Sequence, residues 1–371
     1  VSGRRVPHAL WLVPALGLSC ALSVPSGRAD GPAGPSPPAG MRAPDRGSPV
    51  EGFGAGTRGG ADGTVFRVTT LEDNGDADAP VPGSLREAVS QRNRHVVFDV
   101  AGTIALKTHL RVDADHLTID GFSAPPPGIT LTSYGIVLRG NRGAHDVILR
   151  GLRVRDILRS PTADTQWDGI QIAYGAFNIL VEYVSVHGAD DGSIDVTADS
   201  HHVTVAWSIV GPSKSGKNML VKYRPSRITL HHNLFANSRT RNPQIENDET
   251  GTPATEITVD MRNNLLWGFG VGTLVANGAW ANVVNNYYSK RDGAIKVQSP
   301  GRAYTRGNVV HNSPANIDRV GTQAAPFPAA PVETTDATTA ACRILAGAGP
   351  RPLDAVDQQT LAPIVLAGCT P

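Results

Sequence analysis

Short runs of β-branched and apolar residues recur through the middle of the chain: Leu117–Ile119, Val147–Leu149, Ile179–Val181, Val203–Val205, Ile228–Leu230, Ile257–Val259 and Val283–Val284. Successive starts are 24 to 32 residues apart. Alternation with a period of two marks strands. Sandwich strands would return about every 8–12 residues, so the longer repeat predicts a solenoid with one such strand per coil. Asn233, Asn263-Asn264 and Asn285-Asn286 follow three consecutive strands, and each is followed by a large apolar residue. Asparagine tolerates left-handed backbone at a bend and can bond the backbone of the next coil, so stacked coils would align these amides. Punctuation of ordinary hairpins is the alternative.

The ends of a solenoid need cover. Pro82–Val89 predicts an N-terminal capping helix, with Ser84 and Glu87 as a capping box and Leu85, Ala88 and Val89 on one face. Thr338–Ala348 and Asp354–Asp357 are expected to cover the other end.

Composition agrees with an all-β chain. Its 371 residues include 40 Gly and 28 Pro, which disfavour a helical bundle because each costs about 1 or 3 kcal/mol inside a helix. Lys and Arg number 34 against 33 Asp and Glu, a net charge of +1. With no basic run, nucleic-acid and membrane-surface binding are not expected. Arg4 and Arg5 precede an apolar run from Ala9 to Val24, the pattern of a secretory leader over 1–29; a membrane anchor is the alternative. Residues 30–50 read as a Pro/Gly-rich linker and 51–371 as the solenoid domain. The expected product is a secreted monomer, free of the membrane once the leader is removed. Cys342 and Cys369, the pair left in the mature chain, suggest one disulfide.

Charge falls in register with the coils. Asp168 and Asp191 are 23 residues apart, nearly one coil, and Asp195 lies four residues beyond Asp191. Three carboxylates held together repel unless a hard cation neutralises them, and Ca²⁺ with its oxygen ligands fits. Lys217 lies 22 residues after Asp195, and Arg241 lies 24 after Lys217. A bound cation, an ammonium and a guanidinium in a row suit an anionic polymer such as a polyuronate.

From about Val50 to Cys369 the chain resembles the pectate lyases of polysaccharide lyase family 1. The resemblance is carried by Gly52-Phe-Gly54, Gly59-Gly60, Val68–Leu71, Pro82–Arg86, Val97-Phe98, Thr118–Gly121, the acidic turn Ala189–Val196, and Arg241-Asn-Pro243. It implies a right-handed parallel β-helix and Ca²⁺-dependent eliminative cleavage of polygalacturonate. It also implies Ca²⁺ ligation by Asp168, Asp191 and Asp195, substrate-carboxylate binding by Lys217, and a base role for Arg241. A guanidinium is an unusual base, since its ordinary pKa exceeds about 12, so an activity optimum above neutrality is expected. The chain departs from the family pattern at Gln166, where many relatives carry an acidic residue, and at Gln244 and Glu246, where many are basic. A compensating arginine is sought in Arg239 or Arg262.

Two other readings stay open. Asp190-Asp191 could serve as the paired carboxylates of a polygalacturonase-type hydrolase, although no companion Asn-Thr-Asp, Gly-His-Gly or Arg-Ile-Lys motif is present. A noncatalytic polysaccharide-binding β-helix is the third. His187, His201, His202, His231 and His232 read as packing or surface residues. Trp167, Trp207, Trp267 and Trp280 could line a sugar groove or pack against the coils.

Overall fold

The computed structural model describes residues 50–162, 167–247, 256–318, 321–367 and 369. The expected leader, almost all of the expected linker, and Gln166 lie outside them. Each coil gives one strand to each of three long sheets. Phe177–Glu182 belongs to the first sheet, Ser185–His187 to the third and Ile194–Thr197 to the second; His201–Ala206 then returns to the first. The sheets have ten, eight and ten strands, paired in parallel except where Ser313–Asn316 closes the third sheet antiparallel. This is a parallel β-helix. All seven recurring sequence runs fall in the first sheet, one per coil.

The core is a set of stacked columns. Val147, Ile179, Val203, Ile228 and Val259 stand in register on neighbouring strands of the first sheet, all fully buried. Burying each such side chain contributes about 1.5–3 kcal/mol. The bend from the first sheet to the third is equally regular. Tyr183, Trp207, His232, Asn263 and Asn285 all adopt left-handed backbone, with φ between 50 and 54°. From Trp207 onward the residue after each bend is polar, Ser208, Asn233, Asn264 and Asn286, and these form a seam. Asn233 Nδ2 donates to Asn264 Oδ1 at 3.0 Å, Asn264 to Asn286 at 2.9 Å, and Asn286 to Asn308 at 3.1 Å. The acceptor oxygens also take the backbone N–H of the preceding rung. The ladder expected from the sequence is therefore present, and it extends to Asn308 and Asp318.

Two arms lie on the outward face of the first sheet. Residues 52–60 cross it, with Phe53, Gly54 and Gly60 donating backbone N–H groups to Thr229, Thr204 and Thr118 Oγ1 at 2.9–3.0 Å. A Cβ on Gly60 would stand 1.9 Å from the Arg94 carbonyl oxygen, so a side chain there would push the arm off the sheet. From the other terminus, Phe327 and Thr335 engage Asn282 and Asn263, and Pro331 meets Gly52.

Of the run expected as an N-terminal helix, only α1, Leu85–Ala88, is helical. Ser84 Oγ accepts from the Glu87 N–H, and Leu85, Ala88 and Val89 join the core beside Val68 and Val96. The C-terminal helices correct the sequence reading. Helices α2, Ala337–Gly347, and α3, Ala355–Leu361, lie against the side of the third sheet. The reason is an apolar outer column: Ile209, Leu234, Leu265 and Tyr287 point outward in register while Val210, Phe235, Leu266 and Tyr288 point inward. Helix α2 buries that column with Ala337, Ala341 and Ile344, and Cys342 is disulfide-bonded to Cys369. Farther along the same sheet the outward residues are charged, and there Arg155 donates to Asp354 and Asp357 of the α3 segment at 3.0 and 2.9 Å.

Candidate active site

The second sheet positions five charged side chains. Asp168 lies two residues before the strand Ile170–Ala173, and Asp191 occupies the turn before Ile194–Thr197. Asp195 lies on that latter strand and faces outward because Ile194 and Val196 fill the core. The acidic turn is tied down by its backbone, with the Asp190 and Asp191 N–H groups both donating to the Trp167 carbonyl at 3.0 and 3.1 Å. One carboxylate oxygen from each of Asp168, Asp191 and Asp195 lies within 4.8 Å of the others. The three residues are only 9, 7 and 3% exposed.

Each carboxylate has a defined partner. Asp168 accepts from the Gly192 N–H at 2.8 Å and from Gln171 Nε2 at 3.3 Å. Asp195 accepts from the Leu220 N–H at 2.9 Å. The Lys217 ammonium pairs with Asp191 Oδ1. Arg241 Nη1 lies 3.1 Å from Asp191 Oδ2 and 3.8 Å from Asp195 Oδ2. All five residues singled out from the sequence thus meet in one cluster.

Among the described residues three carboxylates face two basic groups, and burial raises the proton affinity of two of the three. Burial, reinforced by repulsion from Asp195, pushes Asp168 well above the usual carboxylate range. Burial pushes Asp195 up to about 7 against the pull of Arg241 and the Leu220 N–H. A convergent set of oxygen donors with surplus negative charge fits a hard divalent cation.

Sequence reasoning missed what holds the basic pair. Arg241 sits at φ 61°, a left-handed conformation that costs a non-glycine residue of order 1–3 kcal/mol. Fully buried Asn242 fixes that conformation: its Nδ2 donates to the Val271 carbonyl at 2.7 Å and its Oδ1 accepts from Asn218 Nδ2 at 2.7 Å. The signal was present as a repeat, Lys217-Asn218 and Arg241-Asn242, one coil apart.

The departures have structural counterparts. Glu246 pairs with Lys222 at 3.0 Å on the outward face, so that position neutralises a cation. Gln244 stands in register with Leu220 and Leu274. Arg262 is not the sought compensator: it lies on the first sheet and donates to Asp260 Oδ2 at 2.6 Å. Arg239 is exposed on the turn that carries Arg241. Of the histidines, His187, His231 and His232 are buried packing groups, while His201 and His202 are half-buried. Trp207 stacks on His232 and Trp280 packs against Phe327, whereas Trp167 borders the site. Cavities of about 280 and 420 Å³ adjoin the acidic cluster, the first lined in part by Asp191 and the second by Asp168.

No protein-family model matches the chain. Over 279 residues it is 32% identical to a probable pectate lyase C of Emericella nidulans, covering 74% of this chain and 60% of that protein. A probable pectate lyase C of Aspergillus terreus is 30% identical over 281 residues, 74% of this chain and 61% of that protein. The chain thus spans about 60% of the length of the curated relatives it matches. Among solved structures, a Bacillus pectate lyase in complex with trigalacturonate superimposes with a TM-score of 0.58 at 19% identity, over 81% of this chain and 98% of that one. The last likeness is one of fold and the first two are of sequence; together with the β-helix they show the chain to be similar to the pectate lyases.

Proposed function

We propose that the chain is a secreted polysaccharide lyase that cleaves polygalacturonate, or a closely related polyuronate, by β-elimination with Ca²⁺ as cofactor. The observation that carries this reading is the convergence of Asp168, Asp191 and Asp195 with Lys217 and Arg241 beside open cavities. The three aspartates would hold the ion. When bound, Ca²⁺ supplies positive charge that engages a uronate carboxylate and offsets the charge developing next to it.

The chain's own residues do the rest. Lys217, at the rim of the acidic cluster, pairs with the carboxylate of the reacting sugar and stabilises its enolate-like form as the α-carbon loses its proton. A nitrogen of Arg241 in its neutral form, which alkaline pH and the neighbouring positive charge favour, receives that proton and becomes the guanidinium. The electron pair of the broken C–H bond forms a double bond in the ring, and the glycosidic C–O bond at the β position breaks with its pair going to the oxygen, which takes a proton from water as the hydroxyl of one product while the other is an unsaturated uronide. Asn242 keeps Arg241 aimed at the acidic cluster, so orientation rather than flexibility sets the approach. The leader-like pattern of Arg4, Arg5 and the apolar run Ala9–Val24, with the Cys342–Cys369 bond, supports an extracellular location.

A screen of polygalacturonate, methylated pectin and other uronans for ultraviolet-absorbing product, with and without chelator, tests the reading. Chelator-sensitive absorbance supports it. New reducing ends without absorbance would mean hydrolysis, and binding without any product would mean a noncatalytic role.

A further inference from the structure

Among the described residues, two large aromatic side chains are exposed, Tyr174 at 49% and Tyr223 at 45%, and both stand on one edge of the stack. Each directly follows a strand of the second sheet, Ile170–Ala173 and Leu220–Lys222, while Ala198 follows the strand between them, Ile194–Thr197. Ile172 pairs with Val196 and Thr197 with Lys222, so Tyr174, Ala198 and Tyr223 hold the same position on three consecutive coils. The backbone carries that register past the strands. Gly175 N–H donates to the Ala198 carbonyl at 2.7 Å, and Asp199 N–H to the Tyr223 carbonyl at 2.9 Å. All three residues take left-handed backbone, with φ of 58, 48 and 66°. The two rings are therefore two rungs apart, about 10 Å along the stack, with only a methyl group between them. Tyr174 also borders the cavity beside Asp168, whereas Tyr223 lines neither of the two cavities described above.

The charges beside these rings are matched. Arg224 donates to both oxygens of Asp199 at 2.8 Å, Arg139 pairs with Asp113, and Lys222 pairs with Glu246 at 3.0 Å. The Lys222 ammonium also lies 5.3 Å from the centre of the Tyr223 ring, which seats one face of that ring and leaves the rest to solvent. An edge with aromatic rings and paired charges suits a neutral ligand, and the C–H face of a pyranose packs on such rings. In a β-1,4-linked glycan each sugar is flipped relative to its neighbour, so every second sugar offers the same face. Two sugars of the extended chain cover a length close to the spacing of these rings. We propose that Tyr174 and Tyr223 form a binding platform for a neutral β-1,4-linked polysaccharide, each ring taking one sugar and Ala198 leaving room for the sugar between. The platform holds the protein on a neutral glycan without cleaving it. The proposal goes beyond the lyase reading and does not depend on it.

The test is affinity electrophoresis of the full chain in gels containing hydroxyethyl cellulose, at low and high salt, alongside calorimetric binding of cellohexaose. The parent should be retarded equally at both salt levels, since screening weakens ion pairs and this contact makes none. Tyr174→Ala and Tyr223→Ala should each weaken binding about tenfold, and the double variant should migrate as if no glycan were present. Tyr223→Phe keeps the ring and should bind as the parent does. Both side chains are exposed, and a thermal melt matching the parent verifies that the fold is kept. A parent that is not retarded and does not bind cellohexaose overturns the proposal, as do alanine variants that bind as the parent does. A dimer that dissociates in Tyr223→Ala, seen by sedimentation without glycan binding, would overturn it by giving the edge to a second copy of the chain. Turnover of polygalacturonate by Tyr223→Ala should match the parent; a fall would place the ring in the cleavage groove and overturn the platform. A parent that binds cellohexaose but yields no product from polygalacturonate would overturn the lyase reading alone.

Discussion

Two ionic clusters sit on the outward faces of this β-helix, and they are built to opposite ends. On the third sheet, Arg153 and Arg155 meet Asp354 and Asp357, two charges against two, under α3. Ser185 also donates to Asp357, whose side chain is fully buried. On the second sheet, Asp168, Asp191 and Asp195 gather round the two basic groups Lys217 and Arg241, and cavities open beside them. The first cluster is completed by the chain's own C-terminal segment. Among the described residues the second has one carboxylate more than it has basic groups, which is the condition for binding a cation rather than for holding the fold together.

The largest expected effect would separate chemistry from structure at the open cluster. Arg241→Lys keeps a basic nitrogen but misplaces it as the proton acceptor, and the rate of unsaturated product should fall about 10²–10⁴-fold with little change in melting temperature. An unchanged rate removes Arg241 from the base role. At the closed cluster the order reverses: Asp357→Ala leaves two buried guanidinium groups short of a partner and should cost about 3–5 kcal/mol in denaturant melts. Activity per folded molecule should persist.

A third experiment asks whether the open cluster is completed by a cation. Ca²⁺ at a hundredfold its Kd should stabilise the protein by about 2.7 kcal/mol. Asp195→Asn should lose most of that gain and, in chelator, be no less stable than the parent, because it removes one of three mutually repelling carboxylates. A Ca²⁺ shift of full size in the variant would show that the ion binds elsewhere.

The smallest effect, read per pH unit, concerns a closed face. Burial lowers His231 to about 3 from the usual 6.5, so it is neutral when folded and takes a proton only on unfolding. The unfolded chain therefore binds more protons between pH 6.5 and about 3, and stability falls with acid across that window by about 1.4 kcal/mol per pH unit from this group. The slope of stability against pH should flatten in His231→Gln; an identical slope would place the acid sensitivity in other groups.

Much of this was legible in the sequence because a solenoid converts spacing into position. Asp168, Asp191, Lys217 and Arg241 are each about one coil from the next, and stacking alone brings them together. The runs beginning at Leu117, Val147 and Ile179 announced the first sheet because its strands reach four to six residues. Strands of two or three residues in the other sheets, such as Ile209–Val210 and Leu220–Lys222, are too short for a period to show. The seat of α2 was hidden for a related reason: the outward column Ile209–Leu234–Leu265–Tyr287 is one residue per coil, and each lies beside an inward residue just as apolar. Arg262 misled because its distance from the site is a matter of which sheet it occupies, and neighbours in sequence do not reveal that.

The asparagine seam has a direction. Each amide from Asn233 to Asn286 gives one proton to the side-chain oxygen of the next rung and another to a carbonyl of the preceding coil, and the oxygens of Asn264, Asn286 and Asn308 each face the rung before. Any rung therefore fits between any two others. A duplicated coil carrying the same residue at its bend would splice in without stranding a polar atom, so the length of this protein can change in whole-coil increments. The arm spanning Thr118 to Thr229 is the ruler that resists such growth, since its reach is set by the stretch of chain between Phe53 and Gly60.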